Sequence, residues 1–224
     1  MASSEQPPEA TDNREPDTDN QYEEFKPTFW ISIIWTVLAT VMTIAGFLLF
    51  TVLFALLGGG MTNGSMIVET GSEGDSVYFS FRFGNMLLVM LLALGVLVLH
   101  EAIHGAVFRY YGGRPTFGAT VIQKVLPAFY CSAPGYRFTR GQFAVIILAP
   151  LVVISVLGIV LMPFVDDGLL LVLPLAINFG GAIGDVWMAG MLIQREPGTM
   201  IEDLKDGLRF YPPARDPGQA DSAR

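Results

Sequence analysis

The chain has 224 residues, of which 52% are hydrophobic and 15% charged, with a formal net charge of −8. The charges cluster between long apolar blocks, a pattern that points to a membrane protein and away from an ordinary soluble domain. No Gly-rich phosphate loop, nucleic-acid motif or internal repeat is visible, so nucleic acid is not an expected partner.

Residues 1–25 are polar and acidic with no apolar period, and a disordered tail is expected there. This acidity fits either a high-salt habitat or plain solubility. The first apolar block, about 29–57, carries no charge. It exceeds the roughly 20 residues needed to cross the hydrocarbon core. It follows an acidic rather than a basic segment and lacks a cleavage site, so it reads as a retained helix, not a signal peptide. Residues 64–83 then alternate apolar and polar around the turn-like Gly71-Ser-Glu-Gly74. A small external β-hairpin is expected.

The second block, about 84–108, ends in His100-Glu101-Ala102-Ile103-His104, which holds the only two histidines of the chain. On a helix, positions i and i+4 share a face, so both imidazoles can reach one metal ion. Glu101 projects beside that ion, where it could take a proton from a bound water. The alternative is a chance match to a short pattern. Two His and a Glu inside an apolar helix are costly unless they serve a purpose, which favours a metal site, with zinc as the cofactor.

The segment between the second and third blocks carries Arg109, Arg114, Lys124, Arg137 and Arg140 without an acid. Two short strands are expected within residues 112–142, forming a cytoplasmic β-hairpin. Its edge could bind an extended substrate by β-augmentation, or the segment could be a packed loop. Cys131 is the only cysteine, so no internal disulfide can form. The third block, about 143–165, contains Pro150, which either kinks the helix near the site or has no catalytic meaning.

The fourth block, about 168–193, has one ionisable side chain, Asp185. Gly181 and Asn178 precede it by four and seven residues and share its face. Small residues there allow close approach of a neighbouring helix. Asn178 could donate a hydrogen bond to a substrate carbonyl or oxyanion, or make an ordinary interhelical bond. Residues 196–224 read as a cytoplasmic tail, disordered from about 211.

The expectation is thus an α-helical integral membrane protein with four transmembrane helices in a domain spanning about 26–195. The Lys/Arg-rich segments belong in the cytoplasm, which puts both termini inside. His100 and His104 then lie about 9–15 Å above the inner end of the second helix, and Asp185 about 13 Å above that of the fourth. A catalytic zinc takes three protein ligands and one open position, so Asp185 is the candidate third ligand. Its alternatives are a carboxylate paired with Arg109 or Arg195, or a proton relay.

His100-Glu-Ala-Ile-His104-Gly105, Pro115-Thr-Phe-Gly118, Leu148-Ala-Pro150 and the run Asn178 to Asp185 resemble the DUF3267 group of zincin-like membrane peptidases. More distantly, they are similar to the site-2 class of intramembrane metalloproteases. The resemblance covers about residues 84–195. It implies a zinc site from His100, His104 and Asp185 with Glu101 as base. The chain departs from the better-known site-2 proteases in lacking Leu-Asp-Gly around the acid, since Val186 follows Asp185, and in having no PDZ-like insertion. The expected function is hydrolysis of a peptide bond in a membrane-associated protein or peptide substrate. A metal carrier or sensor, and a catalytically silent zincin relative, are the alternatives. A carrier would show repeats and further ionisable residues along a path, and a silent relative would not need Glu101.

Overall fold

A computed structural model of the chain describes residues 22–57, 66–70, 77–81, 83–122 and 126–213. Its elements, in order, are β1 (Glu23–Phe25), α1 (Phe29–Leu56), β2 (Met66–Thr70), β3 (Val77–Phe81) and α2 (Phe83–Tyr110). These are followed by β4 (Thr116–Ile122), β5 (Leu126–Ser132), β6 (Arg137–Thr139) and α3 (Arg140–Leu161). After a short 3-10 turn come α4 (Gly168–Gly181), α5 (Ile183–Ile193), β7 (Met200–Leu204) and β8 (Gly207–Tyr211).

Among the described residues, four helical segments are long and apolar enough to cross a membrane. Side-chain caps set the starts of α1, α3 and α4. Thr28 accepts from the Ile31 N–H, and Asp167 from the Leu169 N–H. Thr139 and Gln142 form a reciprocal capping box at the head of α3. Leu48, Leu91 and Val156 are each more than half exposed, so the outer surface of the bundle is apolar.

The expected fourth helix is two helices. Gly180, Gly181 and Gly184 flank Ala182, which ends α4 and begins α5. Glycine is a poor helix former, and clusters of it are where helices break or bend. Asp185 therefore stands in the first turn of α5.

Both expected hairpins are present: β2 pairs with β3, and β4 with β5, each antiparallel. The turn at 71–76 lies outside the described residues. The expectations for the two ends need correction. Strand β1 falls within the stretch read as a disordered tail, and β7–β8 fall within the stretch read as a cytoplasmic tail. Together with β6 they form an antiparallel sheet of order β1-β8-β7-β6. The alternation Met200-Ile-Glu-Asp-Leu204 and Gly207-Leu-Arg-Phe-Tyr211 supplies its buried face through Ile201, Leu208 and Phe210. Residues 1–21 and 214–224 lie outside the described residues.

This sheet gathers at the end of the bundle where α1 and α3 begin and α2 and α5 finish. There Phe108, Phe138, Phe143, Ile146, Leu192 and Phe210 form one core cluster. A second cluster, around Phe50, Phe54, Ile154 and Leu175, fills the other end. Buried Glu202 ties the sheet together. It accepts from the Gly135 N–H at 2.7 Å and from the Tyr211 hydroxyl at 2.5 Å. Arg195 pairs with Glu23 of β1 through both guanidinium nitrogens.

The close helix contact is made by Gly180 rather than by Gly181. A Cβ on Gly180 would collide with the Thr43 hydroxyl and come within 2.6 Å of the Ala39 carbonyl oxygen in α1. A Cβ on Gly181 would meet only Leu97, at 3.9 Å. Backbone cannot move aside cheaply. Gly180→Ala should therefore destabilise the bundle by roughly 1–3 kcal/mol, the usual cost of overpacking, whereas Gly181→Ala should be close to neutral. Thermal unfolding of the two variants in detergent would show it, and equal midpoints would contradict this packing.

Candidate metal centre

His100 and His104 lie one turn apart on α2, and Asp185 faces them from α5. His100 Nε2 is 3.0 Å from Asp185 Oδ2, and His104 Nε2 is 3.5 Å from Asp185 Oδ1. The two Nε2 atoms are 3.2 Å apart. All three side chains are buried, and one potential ligand atom from each lies within 4.8 Å of the others. The rings are steeply inclined, at 76°, so both nitrogens aim at one point without stacking.

The far side of each ring fixes what that point contains. His104 Nδ1 lies 2.9 Å from the Ile146 carbonyl oxygen, which can only accept. The Nδ1 therefore carries the proton, and in a neutral imidazole Nε2 is left with a bare lone pair. His100 Nδ1 is 2.9 Å from Asn178 Oδ1 and takes the same tautomer. Two bare nitrogens and a carboxylate then converge in a buried space. Such a set repels itself unless a cation or proton sits between its members, and it matches the donor chemistry of a His₂-carboxylate metal site.

Asn178 is fully buried, and its carbonyl makes an interhelical contact with the back of His100, a metal-ligand candidate. Its Nδ2 has no hydrogen-bond partner among the described residues. Asp185 pairs with neither Arg109 nor Arg195, the latter being held by Glu23.

Glu101 lines a cavity together with His104 and Asp185. Cys131 of β5 lines the same cavity. Glycine at 105 lets β4 lie over α2, because the Phe117 ring occupies the space a Cβ would need. The cavity, of about 570 Å³, is lined by Glu101, His104, Asp185, Cys131, Trp35 and Asp203, among others.

Asp203, Cys131 and the Ile146 carbonyl were not singled out from sequence. A backbone carbonyl leaves no composition signal, and Asp203 stood in a stretch read as a tail. Partial burial, reinforced by the nearby Asp185 and Glu101, holds the Asp203 carboxyl well above the usual carboxylate range. Burial likewise pushes the Cys131 thiol up to about 12, which makes it an inert lining group rather than a nucleophile.

Residues 93–200 match the family model DUF3267, described as "Putative zincin peptidase". The matched segment contains both histidines, Glu101, Asn178 and Asp185, and ends at the first residue of β7. It leaves out α1, the β2–β3 hairpin and almost all of β7–β8. No curated protein and no solved structure matches the chain.

If His100, His104 and Asp185 act as a ligand set, single alanine substitutions at each should abolish tight binding of one divalent metal per chain. Asn178→Ala should weaken binding by about 10–100-fold, the usual effect of losing the group that orients a histidine ligand. Asn178→Asp keeps an acceptor facing Nδ1 and should retain tight binding. Elemental analysis and chelator competition on purified protein would measure both. Undiminished metal in the alanine series would exclude this ligand set.

Proposed function

We propose that this protein is a zinc-dependent intramembrane metalloprotease that hydrolyses a peptide bond of a membrane-associated protein. The observation that carries this reading is the convergence of His100 Nε2, His104 Nε2 and the Asp185 carboxylate beside a cavity that Glu101 also lines. The zincin description of the matched segment supports the same chemistry. When bound, zinc supplies Lewis acidity, polarising a carbonyl and making a water more acidic.

His100, His104 and Asp185 hold the metal, and Asn178 and the Ile146 carbonyl fix the two imidazoles in the ligating tautomer. Glu101 stands one residue from the first ligand and is free of the metal-facing cluster. It accepts the proton of the attacking water and returns it to the leaving amine. A helical substrate has its carbonyls already bonded and must unwind locally to be cut. Strand β5 pairs only with β4 among the described residues. Its residues Phe129, Tyr130 and Cys131 line the cavity, and its other edge would align an extended segment by strand addition.

The apolar exterior of the four helical segments favours insertion as a multi-pass protein of the cell membrane. By the Lys/Arg asymmetry, both termini and the β1-β8-β7-β6 sheet would lie on the cytoplasmic side, with β2–β3 outside. Water and substrate would then enter from the cytoplasm. Single cysteines at Ser3, Ser72 and Ser222, in a background lacking Cys131, report this directly. An impermeant thiol reagent on intact cells should label the Ser72 position alone. Labelling at the other two with protection at Ser72 would reverse the orientation.

Glu101→Gln separates catalysis from metal binding. The variant should keep its zinc and fold while losing cleavage by at least about 10²–10⁴-fold, the usual contribution of a general base. Cleavage of a verified substrate at the wild-type rate would remove Glu101 from this role. Metal flux in liposomes with no hydrolysis by wild type would instead favour a carrier.

A further inference from the structure

The imidazole of His104 is oriented by a backbone carbonyl, and the sequence explains why that carbonyl is available. In an α-helix the oxygen of residue i−4 accepts from the N–H of residue i. Ile146 lies four residues before Pro150, inside α3. Proline has no N–H, and its ring pushes the carbonyl of residue i−4 away from the helix axis. The Ile146 oxygen thus has no intrahelical partner, in a place where Ile146 itself is fully buried and Pro150 nearly so. A buried carbonyl without a donor costs roughly 1–3 kcal/mol. The His104 Nδ1–H, at 2.9 Å, removes that cost.

We infer that Pro150 is a positioning residue of the metal centre: by leaving the Ile146 carbonyl unbonded within α3, it holds His104 with Nδ1 protonated and Nε2 bare towards His100 and Asp185. The inference rests on the metal-site reading above and adds the determinant that neither the motif nor the ligand geometry supplies. His100 has a side-chain partner for this purpose in Asn178. His104 has a defect in a neighbouring helix. The two ligands are held by different means, from α4 and from α3, and each means uses the ring nitrogen that faces away from the metal.

A simple packing role for Pro150 makes the opposite prediction from this one. Alanine is a far better helix former than proline, so Pro150→Ala should leave the fold as stable or more so. It also restores an N–H that draws the Ile146 oxygen back along the helix. Zinc affinity, measured by competition with a chromophoric chelator on the full-length protein in detergent, should then fall by about 10–100-fold. Because the chain has two histidines, ¹⁵N-histidine NMR resolves each ring. In metal-free wild type, His104 should show a protonated Nδ1. In Pro150→Ala that preference should be lost, while His100 keeps its own.

A second variant isolates the missing N–H from the ring. Replacing residue 150 by the α-hydroxy analogue of alanine converts the peptide bond before it into an ester, which has neither ring nor N–H. This variant should retain zinc affinity within about threefold of wild type and keep the His104 tautomer, and it decides the matter even if Pro150→Ala fails to fold. Loss of zinc and of the tautomer in the ester variant, or wild-type behaviour of Pro150→Ala in both readouts, would overturn the inference. If wild type itself takes up no zinc, the metal reading falls, and the tautomer in metal-free protein still tests the role of Pro150.

Discussion

Everything at the centre of this molecule depends on one electrostatic constraint. Two imidazole nitrogens and a carboxylate, all acceptors, are pressed together within a bundle of apolar helices. Buried as they are, these polar groups are costly unless neighbours satisfy them. The outward ring nitrogens meet acceptors from α4 and α3. Those contacts in turn fix which faces of α3 and α4 look at α2. The close seating of α4 on α1 through Gly180 completes the frame, because α4 could not carry Asn178 to His100 if its axis stood off by the width of a methyl group.

Glu101 sits outside this cluster by virtue of being one residue along the helix. A step of about 100° turns it away from the metal-facing side and into the cavity. The cavity is completed by elements that belong to no helix, namely β5 and the β7–β8 hairpin. His104 and Asp185 line this cavity as well, so the acceptor cluster and the Glu101 carboxylate share one space.

The helices were legible because an apolar run of 20 or more residues has few other fates. The cluster of His100, His104 and Asp185 was legible because ionisable side chains are conspicuous in such a run. Helical rise, once the Lys/Arg pattern had set the direction of each helix, put them at similar depth. What the sequence concealed is equally physical. The break at Ala182 hides in a hydrophobic stretch whose glycines read as packing residues. Asn178 was visible as an unusual polar group, but its direction depends on the axial rotation of α4, which periodicity alone does not determine. The sheet was missed because β1 is three residues long, and β7 and β8 five residues each. It also joins segments about 180 residues apart in the chain. Short amphipathic strands beside acidic, proline-containing ends carry little local signal, and only their pairing and the burial of Ile201, Leu208 and Phe210 make them structure.

That sheet has an architectural consequence. The helices that carry the histidine and aspartate cluster and part of the cavity lining are written in different stretches of the chain. His100 to Asp185 lie within the matched family segment, while Lys26, Asp203, Leu204 and Gly207, which line the cavity, lie outside it. Substitutions in the hairpin can therefore reshape the cavity wall while the His100, His104 and Asp185 cluster stays in place, much as a lock can be re-keyed without replacing the bolt.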